Sequence, residues 1–499
     1  MRREVRAMLS LAWPVVIAEM GWTAMGIVDT MMVGPLGPAA IGAVGTGTIL
    51  FLVVMMPGFG ILLALDTFVA QSFGAGRLDE CHRWLFAGLQ LAAVLTVVLS
   101  LAAAGGIWLL PAFDFHPDVL AAMQPYMKHL LWSVAPLLAY VVFRRYLQAM
   151  NLVGPIMVAL ILANAINVLV NWVLINGRWG FPALGVVGAA YATVFSRVVM
   201  AVYLFAVLLR RERRSSGLHD VPFQWDPARM WRLVKLGSPA AGQILLEVGV
   251  FAAAGALAGR ITPVAVAAHT IVLNIVGFIF MVPYGISSAA AVRVGQAVGR
   301  GDRHGMRRAG WAAILISLVV MTMAAVLFAT LPGPLMRPFT SDPLVLQIGA
   351  ALLLVAVVFQ LFDGLQTVAT GALRGLGNTR TPVVWNLAGH WLLGLPIAYY
   401  LCFSRGWGVE GLWSGLALGI ILIGSGLLYV WHRDSARGLT WTGGLHPPDP
   451  LTPSLAPFDS AQDAPSICRG AGTAMPRSAP AGRARWRAWL AIRQRDHRR

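Results

Sequence analysis

The chain has 499 residues, 58% of them hydrophobic and only 12% charged, and its mean hydropathy is +0.71. Ordinary soluble domains carry about 25% charged residues, so a water-soluble globule is excluded and a polytopic membrane protein is predicted. The formal net charge of +17 would suit nucleic acid, but no basic domain with interleaved aromatics accompanies it, so a nucleic-acid partner is not expected.

Twelve apolar runs are long enough to cross roughly 30 Å of hydrocarbon. The first, near 8–33, contains Pro14, Glu19 and Asp29. It is too long for a signal h-region and has no small-residue cleavage site, so it is read as a retained span. Runs follow near 42–70, with Asp66 close to its end, and near 85–110 and 126–150. The run near 155–176 carries Asn167 and Asn171 one turn apart, on one helical face. The run near 183–208 carries Thr193 and Arg197, and Arg197 reads as the only basic residue well inside a span.

A linker over 209–234 holds Arg210, Arg211, Arg213 and Arg214, then Pro222 and Pro227. Beyond it lie runs near 236–259 with Glu247, 265–292 with His269, 309–331, 344–371 with Asp363, 382–403 with His390, and 408–431. The expected domains are therefore an amino lobe over 1–208, the linker, a carboxyl lobe over 235–431 and a tail over 432–499. The tail, rich in Pro, Gly and Ser from Gly443 to Gly482, is expected to be disordered. Its basic end, from Arg483, is read as flexible rather than as an amphipathic helix on lipid.

Basic residues cluster on alternate sides of successive spans: Arg2, Arg3 and Arg6; Arg77 and Arg83; Arg144 and Arg145; 210–235; 293–308; Arg374 and Arg380. By the positive-inside rule these sides are cytoplasmic. Both termini are then cytoplasmic, as an even number of spans requires, and an inner-membrane location is expected. Cys81, Cys402 and Cys468 form neither a disulfide framework nor a metal-spacing pattern.

The halves repeat at a shift of about 225 residues. Pro14 meets Pro239, Pro38 meets Pro263, Gly60 meets Gly285, and Gln71 with Gly74 and Gly76 meets Gln296 with Gly299 and Gly301. Near a shift of 223, Gly185 and Gly188 meet Gly408 and Gly411. Six spans per copy give a parallel repeat, which places the substrate site at the interface of the halves, near mid-membrane.

A charged side chain near the middle of a membrane helix costs roughly 2.5–3.5 kcal/mol, so acids in spans tend to mark function. Asp29, Glu247 and Asp363 are read that way, with Glu19 and His269 as second candidates. Packing could account for His269, as a buried histidine bonded to a neighbouring helix. Asp66, near a cytoplasmic end, is read as solvated and structural. Gln71 and Gln296 are read as shaping turns, and the glycines from Gly42 to Gly47 as close helix packing. Trp22, Phe251, Phe280, Phe359 and Phe362 could line a cavity. No His-Glu-x-x-His run or nucleophile set suggests an enzyme.

Four segments carry a resemblance: Pro14; Gly26-Ile-Val-Asp29-Thr-Met-Met-Val-Gly34; Ala267-Ala-His269-Thr-Ile-Val-Leu-Asn274; and Gly371-Ala-Leu-Arg374-Gly-Leu-Gly-Asn-Thr379. In order, spacing and duplication over about 8–431 the chain resembles the multidrug and toxic compound extrusion (MATE) transporters. The resemblance implies an all-α membrane protein of twelve spans in two pseudo-symmetric six-helix bundles that open alternately to each side. It implies an amino-lobe ion site at Asp29, Asn167, Asn171 and Thr193. In the carboxyl lobe, Glu247 and Asp363 match the acidic pair of NorM-like members.

The expected activity is export of cationic or amphipathic drugs by antiport with Na+ or H+, in a monomer with no cofactor. No metal is expected beyond a Na+ at Asp29 or at Glu247 and Asp363. Under the repeat Asp29 falls on Ala254 and Glu247 on Trp22, so the lobes carry their acids at different heights. A lipid-linked oligosaccharide flippase, which would line its cleft with Arg or Lys, and a channel are the alternatives.

Overall fold

The computed structural model describes residues 2–215 and 221–437. Among these, twelve helices are long and apolar enough to cross a membrane. They are α1 (Glu4–Leu36), α2 (Pro38–Gly74), α3 (Leu78–Ala112), α4 (Pro117–Ala149), α5 (Gly154–Asn176), α6 (Val186–Arg211), α7 (Pro227–Ala258), α8 (Pro263–Gly299), α9 (Arg303–Thr330), α10 (Pro343–Gly375), α11 (Arg380–Ser404) and α12 (Gly408–Ala436).

Several are longer than their apolar cores, because caps rather than hydropathy decide where a helix starts. Pro227 opens α7 behind Asp226, whose carboxylate accepts from the Arg229 amide at 2.9 Å. Thr262, Asp302 and Asp342 cap α8, α9 and α10 in the same way, and proline at the first turn gives up an amide that had no partner there. The loop expected over 209–234 is accordingly helical at both ends, since α6 continues to Ser215 and α7 begins at Pro227. At the other end α12 continues to Arg437, into the expected tail. The expected disorder of the remaining tail and the reading of its basic end fall outside the described residues. In α11 the chain is π-helical over Leu387–Gly394 and Tyr400–Ser404, a widening that often accompanies special packing or function.

Helices α1–α6 and α7–α12 form two bundles. In the first, α1 packs on α5, α5 on α6 and α2 on α4; in the second, α8 packs on α9 and α10, and α10 on α12. Between the bundles α1 meets α8 and α2 meets α7, two contacts that exchange under the sequence repeat.

The exchange holds to the single residue. A Cβ at Gly60 would collide with Ala241, and one at its repeat counterpart Gly285 would collide with Val16, the residue that falls on Ala241 at the same shift. A Cβ at Gly74 would strike the Gln296 carbonyl, and one at Gly299 the Gln71 carbonyl. These backbones touch across the seam, and only glycine leaves room for them.

Gln71 and Gln296 shape the turns, their carbonyls accepting from the amides of Ala75 and Arg300, and they are seam residues as well. Gln71 Nε2 donates to the Gly375 carbonyl at 3.1 Å and Gln296 Nε2 to the Ala149 carbonyl at 2.8 Å, each in the other lobe. Thr67 Oγ1 donates to the Arg374 carbonyl at 2.7 Å, and Arg293 reaches Glu4 at 2.8 Å. All of these lie at the start of α1 or the ends of α2, α4, α8 and α10, so the lobes are zipped together at the end where the first helix begins.

Candidate functional site

The amino-lobe candidates converge. Asp29 on α1 accepts from Asn167 Nδ2 at 3.0 Å and Asn171 Nδ2 at 2.7 Å, both on Oδ1, and from Thr193 Oγ1 at 2.7 Å on Oδ2. All four side chains are buried. The packing of α5 on α1 and on α6 delivers them, with the two asparagines one turn apart on the inward face. Neutral donors to a carboxylate stabilise its charged form without cancelling its charge. The Asn171 Oδ1 atom is buried without a hydrogen-bond partner.

The carboxyl-lobe acids open on space. Glu247 on α7 and Asp363 on α10 both line a cavity of about 330 Å³, to which Leu63 is the only contribution from the amino lobe. This volume lies at the low end of small-molecule sites. Helical spacing builds its walls: Gln243, Glu247 and Phe251 share a face of α7, and Asp363, Gln366 and Thr370 a face of α10. Gln366 Nε2 donates to Asp363 Oδ1 at 3.0 Å, while Gln366 Oε1 and Thr370 Oγ1 are buried without partners. The site therefore holds carboxylates and spare neutral oxygens, the donors a hard cation takes in place of water. No arginine or lysine stands within ion-pair distance of either acid among the described residues, although Arg374 lies elsewhere in the cavity wall.

The same chemistry does not extend to the other acids. Glu19 is buried against Arg144, with which it forms an ion pair, so its charge is already spent and it leaves the list of candidates. Asp66 is fully buried, not solvated, and holds Arg145 at 3.2 Å and Arg374 at 4.0 Å. Arg197 is not the only buried arginine, however: Arg144, Arg145 and Arg374 are buried too, at the ends of α4 and α10. Their burial was not legible in the sequence, because a terminal helical turn looks the same whether it faces water or another lobe. His269 does not line the cavity; its Nδ1 accepts from Trp413 Nε1 at 3.0 Å. Of the five aromatic candidates, Phe251, Phe280 and Phe359 line it and Trp22 and Phe362 do not.

Gln243, Gln366 and Thr370 were missed in the sequence. Their signal was available, because each stands three, four or seven residues from an acid and so on its helical face.

The MatE family model matches residues 14–173 and 239–400. The chain belongs to the MATE family. The two matched blocks of this MATE protein begin at the shift read from the internal repeat, so the family unit is the single lobe, present twice. At 34% identity the chain is similar to a probable multidrug resistance protein NorM of Mesorhizobium japonicum, over 87% of this chain and 94% of the relative. It is 32% identical to a multidrug resistance protein MdtK of Pectobacterium atrosepticum, over 87% and 97%. Among solved structures it shares its fold with the eukaryotic MATE transporter AtDTX14, at a TM-score of 0.77 and 22% identity over 87% of this chain and 98% of that one. An outward-facing multidrug resistance MATE transporter gives a TM-score of 0.78 at 19% identity, over 87% and 96%.

Proposed function

We propose that this MATE protein is a secondary active multidrug exporter in which Glu247 and Asp363 bind either a cationic substrate or the coupling cation, Na+ or H+, but not both at once. The observation that carries the reading is a pair of carboxylates without arginine partners, facing an aromatic cavity beside two spare oxygen acceptors. Competition for one pair of charges at a site that opens alternately to each side yields exchange: arrival of the ion expels the drug. The names of the NorM and MdtK relatives support multidrug substrates, and the distribution of arginine supports a cytoplasmic face at the end where α1 begins. On that orientation the zipped seam closes the cytoplasmic side and the cavity belongs to an outward-facing state of an inner-membrane protein.

A flippase for anionic phosphate-bearing lipids would need a cationic cleft, whereas this cavity carries two acids against one arginine. The test is export of a fluorescent organic cation from proteoliposomes under an imposed sodium or proton gradient. Gradient-dependent export that Asp363→Asn abolishes while the protein stays folded is the expected result. Unchanged export would remove Asp363 from the mechanism, and conductance without coupling would favour a channel.

A further inference from the structure

The amino lobe balances its own buried charge. Its buried acids among the described residues are Glu19, Asp29 and Asp66, and its buried arginines are Arg144, Arg145 and Arg197. Two of the pairs touch: Glu19 with Arg144 and Asp66 with Arg145. The third does not. Asp29 takes three neutral donors instead, and Arg197 stands one turn along α6 from Thr193, which holds Asp29, so the two side chains leave the same face of the helix.

What holds Arg197 off the acid is equally specific. Its guanidinium carbon lies 5.1 Å from the ring centre of Phe51 and 5.9 Å from that of Trp22, distances at which a cation is attracted to an aromatic face. One nitrogen donates to Ser133 Oγ. Trp22 is itself stacked on Tyr140, with ring centres 6.4 Å apart and planes 4° from parallel.

Under the repeat, Trp22 is the counterpart of Glu247. At equivalent heights, therefore, one lobe presents an acid to an open cavity and the other presents an indole to an arginine that is already there.

We propose that Arg197 is a resident cation that closes the Asp29 cluster to guests, making it a latent cation site and confining guest binding to the carboxyl lobe. The inference rests on the reading of Glu247 and Asp363 given above. An arginine cannot leave, so the amino-lobe acid keeps its countercharge through the whole transport cycle. Glu247 and Asp363 have no such tenant, and their countercharge must come from outside.

The test is equilibrium binding of radioactive sodium to purified full-length protein at pH 8, where protons compete least. In a Glu247→Gln/Asp363→Asn background binding should fall to the level of empty micelles. Adding Arg197→Met should restore saturable binding of about one sodium per chain, and adding Asp29→Asn to that variant should remove it. Arg197→Lys, which keeps the charge, should stay silent. Arg197→Met without a gain, or a gain that survives Asp29→Asn, overturns the proposal. So does sodium binding in the background variant itself, which would show the amino lobe already open.

If Arg197→Met is too unstable to assay, melting temperature decides. Asp29→Asn/Arg197→Met should melt above Arg197→Met, because removing both charges is milder than leaving one; a double variant that melts lower overturns the proposal. Wild-type protein that binds no sodium counts against the sodium reading of Glu247 and Asp363 alone, since the Arg197→Met gain is scored against its own background.

Discussion

Glu19 and Asp363 are both acids inside apolar helices, and what separates them is the nearest cation. Arg144 neutralises Glu19 in a dry setting, and removing one member of such a pair leaves an uncompensated buried charge, a loss of about 3–5 kcal/mol. Arg144→Met should therefore destabilise the protein by about that amount, read as a lower melting temperature, and Glu19→Gln/Arg144→Met should recover most of it. Glu19→Gln should leave ion-dependent export largely intact, in contrast to Asp363→Asn. At Asp363, Gln366→Leu would remove a 3.0 Å donor to the carboxylate and a spare acceptor together. Loss of one such charge-assisted bond costs about 1.5–3 kcal/mol, roughly a ten- to hundredfold weaker competition by sodium for dye binding.

At the scale of the helix, the ends of α2 and α8 form the closure. Gly74 and Gly299 stand at repeat-equivalent places and face the Gln296 and Gln71 carbonyls. Gly74→Ala and Gly299→Ala should have the same effect, since each inserts a methyl group where backbones touch. Overpacking of this kind costs about 1–3 kcal/mol, enough to shift a two-state equilibrium about five- to hundredfold towards separated lobes. Spin labels at Arg6 and Arg307, both exposed, should report a longer distance in either variant. Equal distances in variant and parent would show that the seam does not govern the lobe arrangement. The glycines themselves were legible as a repeat, but that they meet glutamine carbonyls rather than each other was not, because a repeat says which residues are equivalent and not which ones touch.

For the whole molecule, charge counting sets the energetics. Moving one elementary charge through 100 mV is worth roughly 2.3 kcal/mol, and swapping one monovalent cation for another moves none. Export of a monovalent dye should then follow the ion gradient and be indifferent to a potassium diffusion potential of either sign. A twofold or larger response to the potential would show a stoichiometry other than one for one. If sodium and protons share Glu247 and Asp363, the sodium concentration needed for half-maximal export should rise as the pH falls, because protonation removes the charges sodium needs.

The sequence by itself determined the class of the protein, its twelve spans, its duplication and the five acids that a membrane would not otherwise tolerate. These follow from hydrophobicity and chain order, properties each residue brings regardless of its neighbours. Only the tertiary structure decided which acids are unpaired. Glu19, Asp66 and Arg197 look in the chain much like Glu247 and Asp363, and their partners lie between 64 and 308 residues away. A buried charge is defined by what stands a few ångströms from it, and in a bundle of helices that neighbour is set by which faces pack together. Helical spacing predicts one face well and says nothing of the face opposite.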